Sequence, residues 1–375
     1  PKGGSAMRVL VFLHDAFGGR GGIAKFNRDL LGALCAHPSV TEVVALPRVI
    51  VDPVEGLPEK LTYWTWTRHG KAAFLAGELL TLTDPRGFDL VICGHVNLLP
   101  LMRLLELRKR VPMGLILHGV EAWQPVGGAE TRRQIGRLDW FLAVSQFTKD
   151  KFLAWTGLPE PKGLVVPNAV DIAAFTPGPK RADLLSRYGL ANKRVLMGMG
   201  RLEARERYKG FDEVMEAMPG LLPRYPDLAY LICGEGTDRP RLEQKARDLG
   251  IADKVVFAGY VPESEKVDTY RLADVFLLAG WGEGFGIVII EALACGIPAI
   301  ASNLDASAEA VLDGKFGPVV NPKDPADLAR GIETALAQGR GQPPVGLETF
   351  SAQAYNERVN RMILDPLAAR LGEAQ

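Results

Sequence analysis

Short apolar runs alternate with segments of helical periodicity along the whole chain. The runs rich in β-branched residues predict strands at 8–14, 89–94, 114–119, 140–145 and 164–168, and then at 194–200, 229–236, 254–260, 274–280 and 298–302. Buried parallel strands have continuous apolar sequences, and crossover helices join them. The alternation therefore predicts an α/β protein with parallel sheets.

A stretch rich in proline, glycine and charge, TPGPKRAD (176–183), separates the two sets of strands and is typical of a linker. We therefore predict two Rossmann-like, doubly wound domains, 7–177 and 178–355. Strand carboxyl ends would then line a cleft between the facing domains. The helical segment 356–375 is expected to pack back on the first domain, with a kink or break at Pro366.

Composition narrows the class of protein. Of 375 residues, 47% are hydrophobic and 23% charged, and the formal net charge is zero, so nothing favours a nucleic-acid partner. The four cysteines are scattered singly among apolar residues, without CxxC or histidine-rich spacing, which predicts a reduced, cytoplasmic protein without a metal site. No apolar run approaches the ~20 residues of a membrane span. The residues before Met7, PKGGSA, are interpreted as an expression scar.

One segment has a composition that is compatible with contact to a membrane surface. LMRLLELRKRV (101–111) is apolar and basic, and such a helix could rest on the anionic inner face of a membrane. A surface helix packed on the sheet is the favoured alternative.

Two glycine-rich strand exits are candidates for binding an anion. HDAFGGRGGIAKF (14–26) follows the first strand, and its glycines would let backbone N–H groups approach a phosphate at the next helix. Its spacing does not match GxGxxG, so a flexible turn remains the alternative. After residue 200, Arg201 and Lys209 offer two cations suited to a diphosphate, which we favour over a solvated loop.

The run GEGFGIVIIEALACGIP (282–298) holds two carboxylates in an apolar setting, where an unpaired charge is costly. Its glycines place Glu283 in a loop, and a helix beginning near Gly286 or Ile287 carries Glu291. The free N–H groups of residues 285–288 would point at an anion. The alternatives are an exposed turn for Glu283 and a dipole-stabilised first-turn carboxylate for Glu291.

His118 ends the predicted strand in LILHGVEAW, where ligand loops of α/β proteins emerge. A lone histidine is more often structural than catalytic, and only this position favours a role in the site.

Several motifs together carry a family resemblance. They are Glu283-GFGIVII-Glu291, a match to E-x7-E, with GGIAKFNRDLLGAL, LHGVE, AVSQFTKD, VVPNAVD, GRL…YKGFDE, CGEGTDRPRLE and VVFAGYVPESEKVDTYRLADVF in the family's order. The chain resembles GT-B glycosyltransferases of family four, or group one. The resemblance implies a retaining enzyme that moves a hexosyl unit from a GDP-, UDP- or ADP-sugar to a hydroxyl of a glycan, lipid-linked or small-molecule acceptor.

The resemblance also implies roles for single residues. Arg201 and Lys209 would hold the donor diphosphate, and His118 would lie beside the anomeric centre or the sugar 6-hydroxyl. Glu283 would contact the transferred sugar and Glu291 the ribose. The remaining donor contacts would be Gly22 to phosphate, Val261 near the base, and the backbone amides of Phe285, Gly286, Ile287 and Val288.

The implied mechanism needs no metal and no cofactor, because the two cations stabilise the leaving phosphate, which itself accepts the acceptor's proton. The chain departs from the family in an insert, ARERY, before Lys209. It departs again in NLDASAEAV (303–311), which somewhat resembles mannosyltransferases acting on phosphoinositides. A sugar-nucleotide epimerase of the same architecture is the main alternative, followed by a pyridoxal-dependent phosphorylase and a silent binding module.

Overall fold

The protein is described by a computed structural model that covers residues 6–107 and 111–373. The chain forms two compact units, one comprising Pro1–Ala169 with Ala352–Gln375 and the other Val170–Ser351. The boundaries predicted from sequence were 177/178 and 355/356, so the two divisions differ by eight residues at the first junction and by four at the second.

Within its described residues, the first unit has a seven-stranded parallel sheet in the order β3-β2-β1-β4-β5-β6-β7. Its strands are β1 Met7–Leu13, β2 Val40–Pro47, β3 Leu61–Tyr63, β4 Leu90–Cys93, β5 Met113–Leu117, β6 Trp140–Ala143 and β7 Gly163–Val165. Its helices are α1 Gly21–Ala36, α2 Lys71–Thr83, α3 Ala129–Arg137 and α4 Gln146–Thr156. Short 3-10 segments cover Thr65–Arg68, Val96–Leu107, Val120–Ala122 and Glu160–Lys162.

The described part of the second unit has a six-stranded parallel sheet in the order β10-β9-β8-β11-β12-β13. Its strands are β8 Arg194–Met199, β9 Leu228–Cys233, β10 Val255–Gly259, β11 Val275–Leu278, β12 Ala299–Ser302 and β13 Val319–Val320. Its helices are α5 Ala182–Arg187, α6 Phe211–Leu221, α7 Arg239–Asp248, α8 Glu263–Tyr270, α9 Ile287–Ala294, α10 Ser307–Ala310 and α11 Pro325–Gln338, with 3-10 turns at Arg207–Lys209 and Leu347–Phe350.

The C-terminal segment belongs to the first unit and is irregular. It comprises α12 Ala352–Val359, a π-helical turn at Asn360–Leu364 and α13 Asp365–Glu373. Tyr355 packs edge-on against Phe26 of α1, and Asp365 pairs with His37 at 3.2 Å. The helix is interrupted just before Pro366, whose missing N–H is tolerated in the first turn of α13.

Each sheet buries its own core. Side chains such as Phe12, Leu115 and Phe141 fill the first, and Leu196, Ile232 and others fill the second. All ten strands expected from sequence are present, and the structure adds β2, β3 and β13. The four cysteines are free and buried, as predicted.

The basic segment 101–111 is only partly visible. A 3-10 helix runs to Leu107, whereas residues 108–110, which carry much of the charge, lie outside the described residues. None of the helices in the described ranges combines the length and apolarity that crossing a membrane requires.

Candidate functional site

The strand order of the second unit defines a crevice at the carboxyl edge of its sheet. The order reverses between β8 and β11, so the connections leaving these neighbouring strands diverge to opposite faces. Ligands of open α/β sheets bind at such a switch point. The exits that meet there are 200–210 after β8 and 279–286 after β11.

Glycines let the two exits interlock. Gly210 has a φ of 83°, and a Cβ on it would lie 2.0 Å from the carbonyl oxygen of Ala279. Trp281 donates its backbone N–H to the carbonyl oxygen of Tyr208 at 2.9 Å. A Cβ on Gly282 would lie 2.3 Å from the Tyr208 ring. The glycine density around Glu283 is therefore a requirement of close backbone approach.

Lys209 and Glu283 form an ion pair at this junction. Lys209 Nζ lies 3.0 Å from Glu283 Oε2, and both side chains are mostly buried. Burial disfavours the Lys209 ammonium, but the charge of Glu283, the hydrogen bond to it and the smaller effects of Tyr208 and Glu206 together raise the pKa of Lys209. The pair therefore places a fixed positive charge beside a carboxylate, an arrangement able to meet a phosphate and a hydroxyl together.

The segment after β12 holds the backbone of Glu283. Asp305 Oδ2 accepts the N–H of Glu283 at 2.9 Å, and Ala306 donates its N–H to the Glu283 carbonyl at 3.1 Å. Asp305 Oδ1 accepts both the N–H and the hydroxyl of Ser307 at 3.0 and 2.6 Å. Burial raises the pKa of Asp305 to about 6, although these hydrogen bonds oppose the rise.

Arg201 is not drawn into the Lys209–Glu283 pair. Its side chain is 72% exposed, and its guanidinium contacts Glu206 of the insert at 2.5 Å. Tyr208 lies near all four charged groups, and burial, followed by the Glu206 carboxylate, raises the pKa of its phenol. A phosphate at this site would have to compete with Glu206 for Arg201.

Helix α9 begins beside Glu283, as the sequence predicted. Its N-cap is Gly286, with a φ of 101° and no side chain to cap the first turn. The first N–H groups of a helix have no partner within it, so those of Ile287 and Val288 can meet an anion. Phe285 is buried and packs edge-on against Phe350, which fixes the approach to the helix.

Glu291 is buried within a separate cluster. It is 1% exposed, and its carboxylate accepts from Lys266 Nζ at 2.8 Å and from the Tyr270 hydroxyl at 2.6 Å. Burial, and then the Glu291 charge, raise the pKa of Tyr270 well above its ordinary value. Val261 is half-buried between β10 and α8, the helix that carries Lys266 and Tyr270. The two glutamates therefore have different partners. Glu283 pairs with Lys209, and Glu291 accepts from Lys266 and Tyr270.

The first unit has its own switch point, between β1 and β4. Gly22 is exposed in the first turn of α1, which has no side-chain cap. His118 follows β5, and its Nε2 lies 2.9 Å from the carbonyl oxygen of Gly94, while its backbone N–H donates to Glu121 at 2.6 Å. Burial lowers the pKa of His118. Phe26 packs edge-on against its ring.

The described residues hold no cluster of three or more histidine, cysteine, aspartate or glutamate side chains arranged to bind a metal. Sequence reasoning missed four residues that build the site: Tyr208, Lys266, Tyr270 and Asp305. The signal for Lys266, Tyr270 and Tyr208 was the matched blocks that contain them, and Asp305 lies in 303–311, a segment noted only as a departure from the family.

Comparison with known proteins identifies the family. Two family models match in succession, Glycosyltransferase Family 4 over residues 20–174 and Glycosyl transferases group 1 over residues 187–344. The chain belongs to the group 1 glycosyltransferases. The sequence motifs predicted this family of enzymes.

Two mannosyltransferases are similar in sequence to this chain. A "GDP-mannose-dependent alpha-(1-6)-phosphatidylinositol monomannoside mannosyltransferase" of Mycolicibacterium smegmatis is 36% identical over 241 residues, which span 61% of this chain and 62% of that protein's length. The Mycobacterium tuberculosis (strain H37Rv) protein of that description is 29% identical over 346 residues, 88% of this chain and 89% of its own.

The structure of Anabaena Alr3699/HepE in complex with UDP has the same fold, with a TM-score of 0.68 at 20% identity, covering 98% of this chain and 99% of that one. This group 1 glycosyltransferase therefore has a GT-B fold, as predicted.

Proposed function

We propose that this enzyme transfers a hexosyl unit from a nucleoside-diphosphate sugar to an acceptor hydroxyl, with retention of the anomeric configuration and without a metal. The observation that carries the proposal is the Lys209–Glu283 pair at the switch point of the second unit, beside the uncapped start of α9. A cation and free helix amides suit a diphosphate, and a carboxylate suits sugar hydroxyls.

In the proposed binding mode, Lys209 and the amides of residues 285–288 hold the donor phosphates. Arg201 joins them once phosphate displaces Glu206. Glu283 accepts hydroxyls of the transferred sugar, and Glu291, fixed by Lys266 and Tyr270, keeps lone pairs for a ribose hydroxyl. Val261 lies near the base.

The chemical step breaks the bond between the anomeric carbon and the phosphate oxygen and forms one to the acceptor oxygen on the same face. The acceptor's proton passes to the leaving phosphate oxygen. Lys209 and Arg201 stabilise the charge that develops on this oxygen, as preorganised cations do in transition states. No cofactor takes part.

For the donor we propose GDP-mannose and for the acceptor an inositol-containing lipid or polyol. Support comes from the two mannosyltransferase relatives, one of which aligns with most of the chain, and from the segment 303–311. We also propose a cytoplasmic enzyme that contacts the inner membrane face while using a lipid acceptor.

The test incubates the protein with GDP-mannose or UDP-glucose and with phosphatidylinositol or myo-inositol. The product is identified by its mass, and its anomeric configuration by the one-bond NMR coupling between the anomeric carbon and its proton. We expect an α-linked product from an α-linked donor. A β-linked product would contradict retention, and an epimerised sugar nucleotide formed without acceptor would favour the epimerase.

A further inference from the structure

The exit of β8 carries a carboxylate, that of Glu206, which takes no part in the proposed reaction. Glu206 lies in the insert ARERY (204–208) that precedes Lys209. Its side chain is 16% exposed, and its Oε1 accepts a hydrogen bond from Arg201 Nη2 at 2.5 Å. Its Oε2 is buried without a hydrogen-bond partner among the described residues. A buried carboxylate oxygen without a donor is destabilising, and a role in the site would explain why this one is kept.

Backbone hydrogen bonds fix Glu206 in a turn. Its N–H donates to the carbonyl oxygen of Glu203 at 2.8 Å, and its own carbonyl oxygen accepts the N–H of Lys209 at 3.1 Å. The position of Glu206 is therefore tied to that of Lys209, the buried cation of the site.

The loop around Glu206 is also docked on the exit of β9. Leu202 donates its N–H to the carbonyl oxygen of Glu235 at 2.8 Å, and its own carbonyl oxygen accepts the N–H of Asp238 at 2.7 Å. Asp238 is 4% exposed, and its Oδ1 lies 3.2 Å from the guanidinium of Arg207. The loop thus has contacts on both sides of Glu206, which hold this carboxylate beside Arg201.

The charges at the junction balance in pairs. Arg201 lies 2.5 Å from Glu206. Lys209 lies 3.0 Å from Glu283. Burial opposes the Lys209 ammonium and Glu283 favours it most, while Glu206 adds a smaller contribution in the same direction, so that the pKa of Lys209 is raised. Glu206 therefore acts on both cations, and a diphosphate must overcome its negative charge to bind them.

Of the two carboxylates, Glu206 is the one that can be displaced. Glu283 is held by the hydrogen bond from its backbone N–H to Asp305 at 2.9 Å, and its side chain is mostly buried. Arg201 is 72% exposed, and ion pairs of exposed side chains contribute little to stability. A diphosphate offers the guanidinium several charge-assisted hydrogen bonds in place of the one that Glu206 accepts.

We propose that Glu206 determines the affinity for the donor by competing with its diphosphate for Arg201. Glu206 holds the guanidinium until the diphosphate arrives, turns to solvent while Arg201 binds phosphate, and takes Arg201 back as the nucleotide leaves. The competition weakens the binding of donor and nucleotide product alike, because only molecules with a released Arg201 bind at full strength. The inference rests on the proposed function, in which Lys209 and Arg201 hold the donor phosphates.

The test compares wild type with Glu206→Gln, which keeps the length of the side chain and removes its charge. Glu203→Gln is the matched control, because it removes the same charge from the same loop and keeps an acceptor for the Thr237 hydroxyl, 2.9 Å from Glu203 Oε2. Titration calorimetry measures the binding of GDP, UDP and ADP, and the nucleotide that wild type binds most tightly is used throughout. Thermal unfolding measures stability.

Glu206→Gln should bind this nucleotide about three- to ten-fold more tightly than wild type, the range expected when an exposed ion pair no longer competes. Most of the gain should be slower dissociation, measured by stopped flow. The KM for the corresponding sugar nucleotide should fall, whereas kcat should not rise, because the product is also held more tightly. Glu203→Gln should stay within two-fold of wild type in each measurement.

A double-mutant cycle with Arg201→Ala separates competition from simple repulsion of the phosphates. In Arg201→Ala there is no guanidinium for Glu206 to hold, so adding Glu206→Gln should change the nucleotide affinity by less than about two-fold. A gain as large as the one in wild type would mean that Glu206 only repels the anion, which contradicts the proposal.

Three other results would overturn the proposal. One is nucleotide binding by Glu206→Gln that is unchanged, or that is weaker together with a lower Tm, which would make Glu206 a structural residue of the loop. Another is an equal gain in Glu203→Gln, which would assign the effect to net charge. The third is a wild type that binds none of the three nucleotides, which would overturn the proposed function as well. Loss of binding in Lys209→Ala beside an unchanged Glu206→Gln would refute this inference alone.

Discussion

Replacing Asp305 with asparagine is expected to lower turnover at pH 7.5 without destabilising the fold. Asp305 is 2% exposed, and its two oxygens accept from the Glu283 N–H and from two donors of Ser307. An amide has one acceptor oxygen, so its NH2 must face either Glu283 or Ser307, which themselves offer donors. The Glu283 loop would then shift away from Lys209.

The magnitude follows from these contacts. A hydrogen bond to a charged group contributes about 1.5–3 kcal/mol, and a misplacement of about 1 Å can cost a hundred-fold in rate. We therefore expect kcat to fall about ten- to hundred-fold. Stability changes in the other direction, because the pKa of Asp305 rises from 3.8 to about 6 on folding. Its stabilising contribution is present below about pH 4 and is lost as pH rises through about 6, a difference of about 3 kcal/mol.

The assay measures kcat for sugar transfer between pH 5 and pH 8, together with Tm at each pH. Wild-type kcat should fall as pH falls through about 6, because protonated Asp305 loses an acceptor, and Asp305→Asn should lack this limb. Asp253→Asn, at an exposed carboxylate of the same unit, is the control. A kcat for Asp305→Asn within two-fold of wild type, with the acid limb retained, would refute the reasoning.

Three further predictions concern the donor site. Lys209→Ala should reduce turnover by orders of magnitude, because the leaving phosphate loses its buried cation, and near-normal kinetics would remove Lys209 from the phosphate site. Transfer should survive EDTA in a metal-free buffer, whereas loss of activity that Mg²⁺ restores would contradict a metal-independent mechanism. Glu291→Gln, which keeps an acceptor for Tyr270, should weaken nucleotide binding measured by calorimetry. Unchanged affinity with a lowered Tm would show that Glu291 is structural.

The sequence predicted the elements whose pattern is local. The apolar run before Gly280 predicted β11, and the glycines that follow placed Glu283 in a loop before α9. Strands β3 and β13 are three and two residues long, and both depend on pairing with a neighbour. Their existence could not be predicted from local sequence.

The charged partners of the site were harder to predict because packing between distant segments decides them. Glu291 pairs with Lys266 across 25 positions of sequence, and Glu283 is held by Asp305 across 22. Tyr208 ends the insert ARERY and begins the block YKGFDE, and neither pattern assigns it a contact. Arg201 was predicted beside Lys209, but its guanidinium contacts Glu206 in this structure.

The central claim is that the Lys209–Glu283 junction binds a nucleoside-diphosphate sugar. The most direct measurement is thermal unfolding of wild type and Lys209→Ala with GDP, UDP and ADP and their hexose conjugates. We expect one nucleotide series to stabilise wild type by about 2.7 kcal/mol at one hundred times its dissociation constant, and to leave Lys209→Ala unshifted at the same concentration. Equal stabilisation of both proteins, or of neither, would contradict the claim.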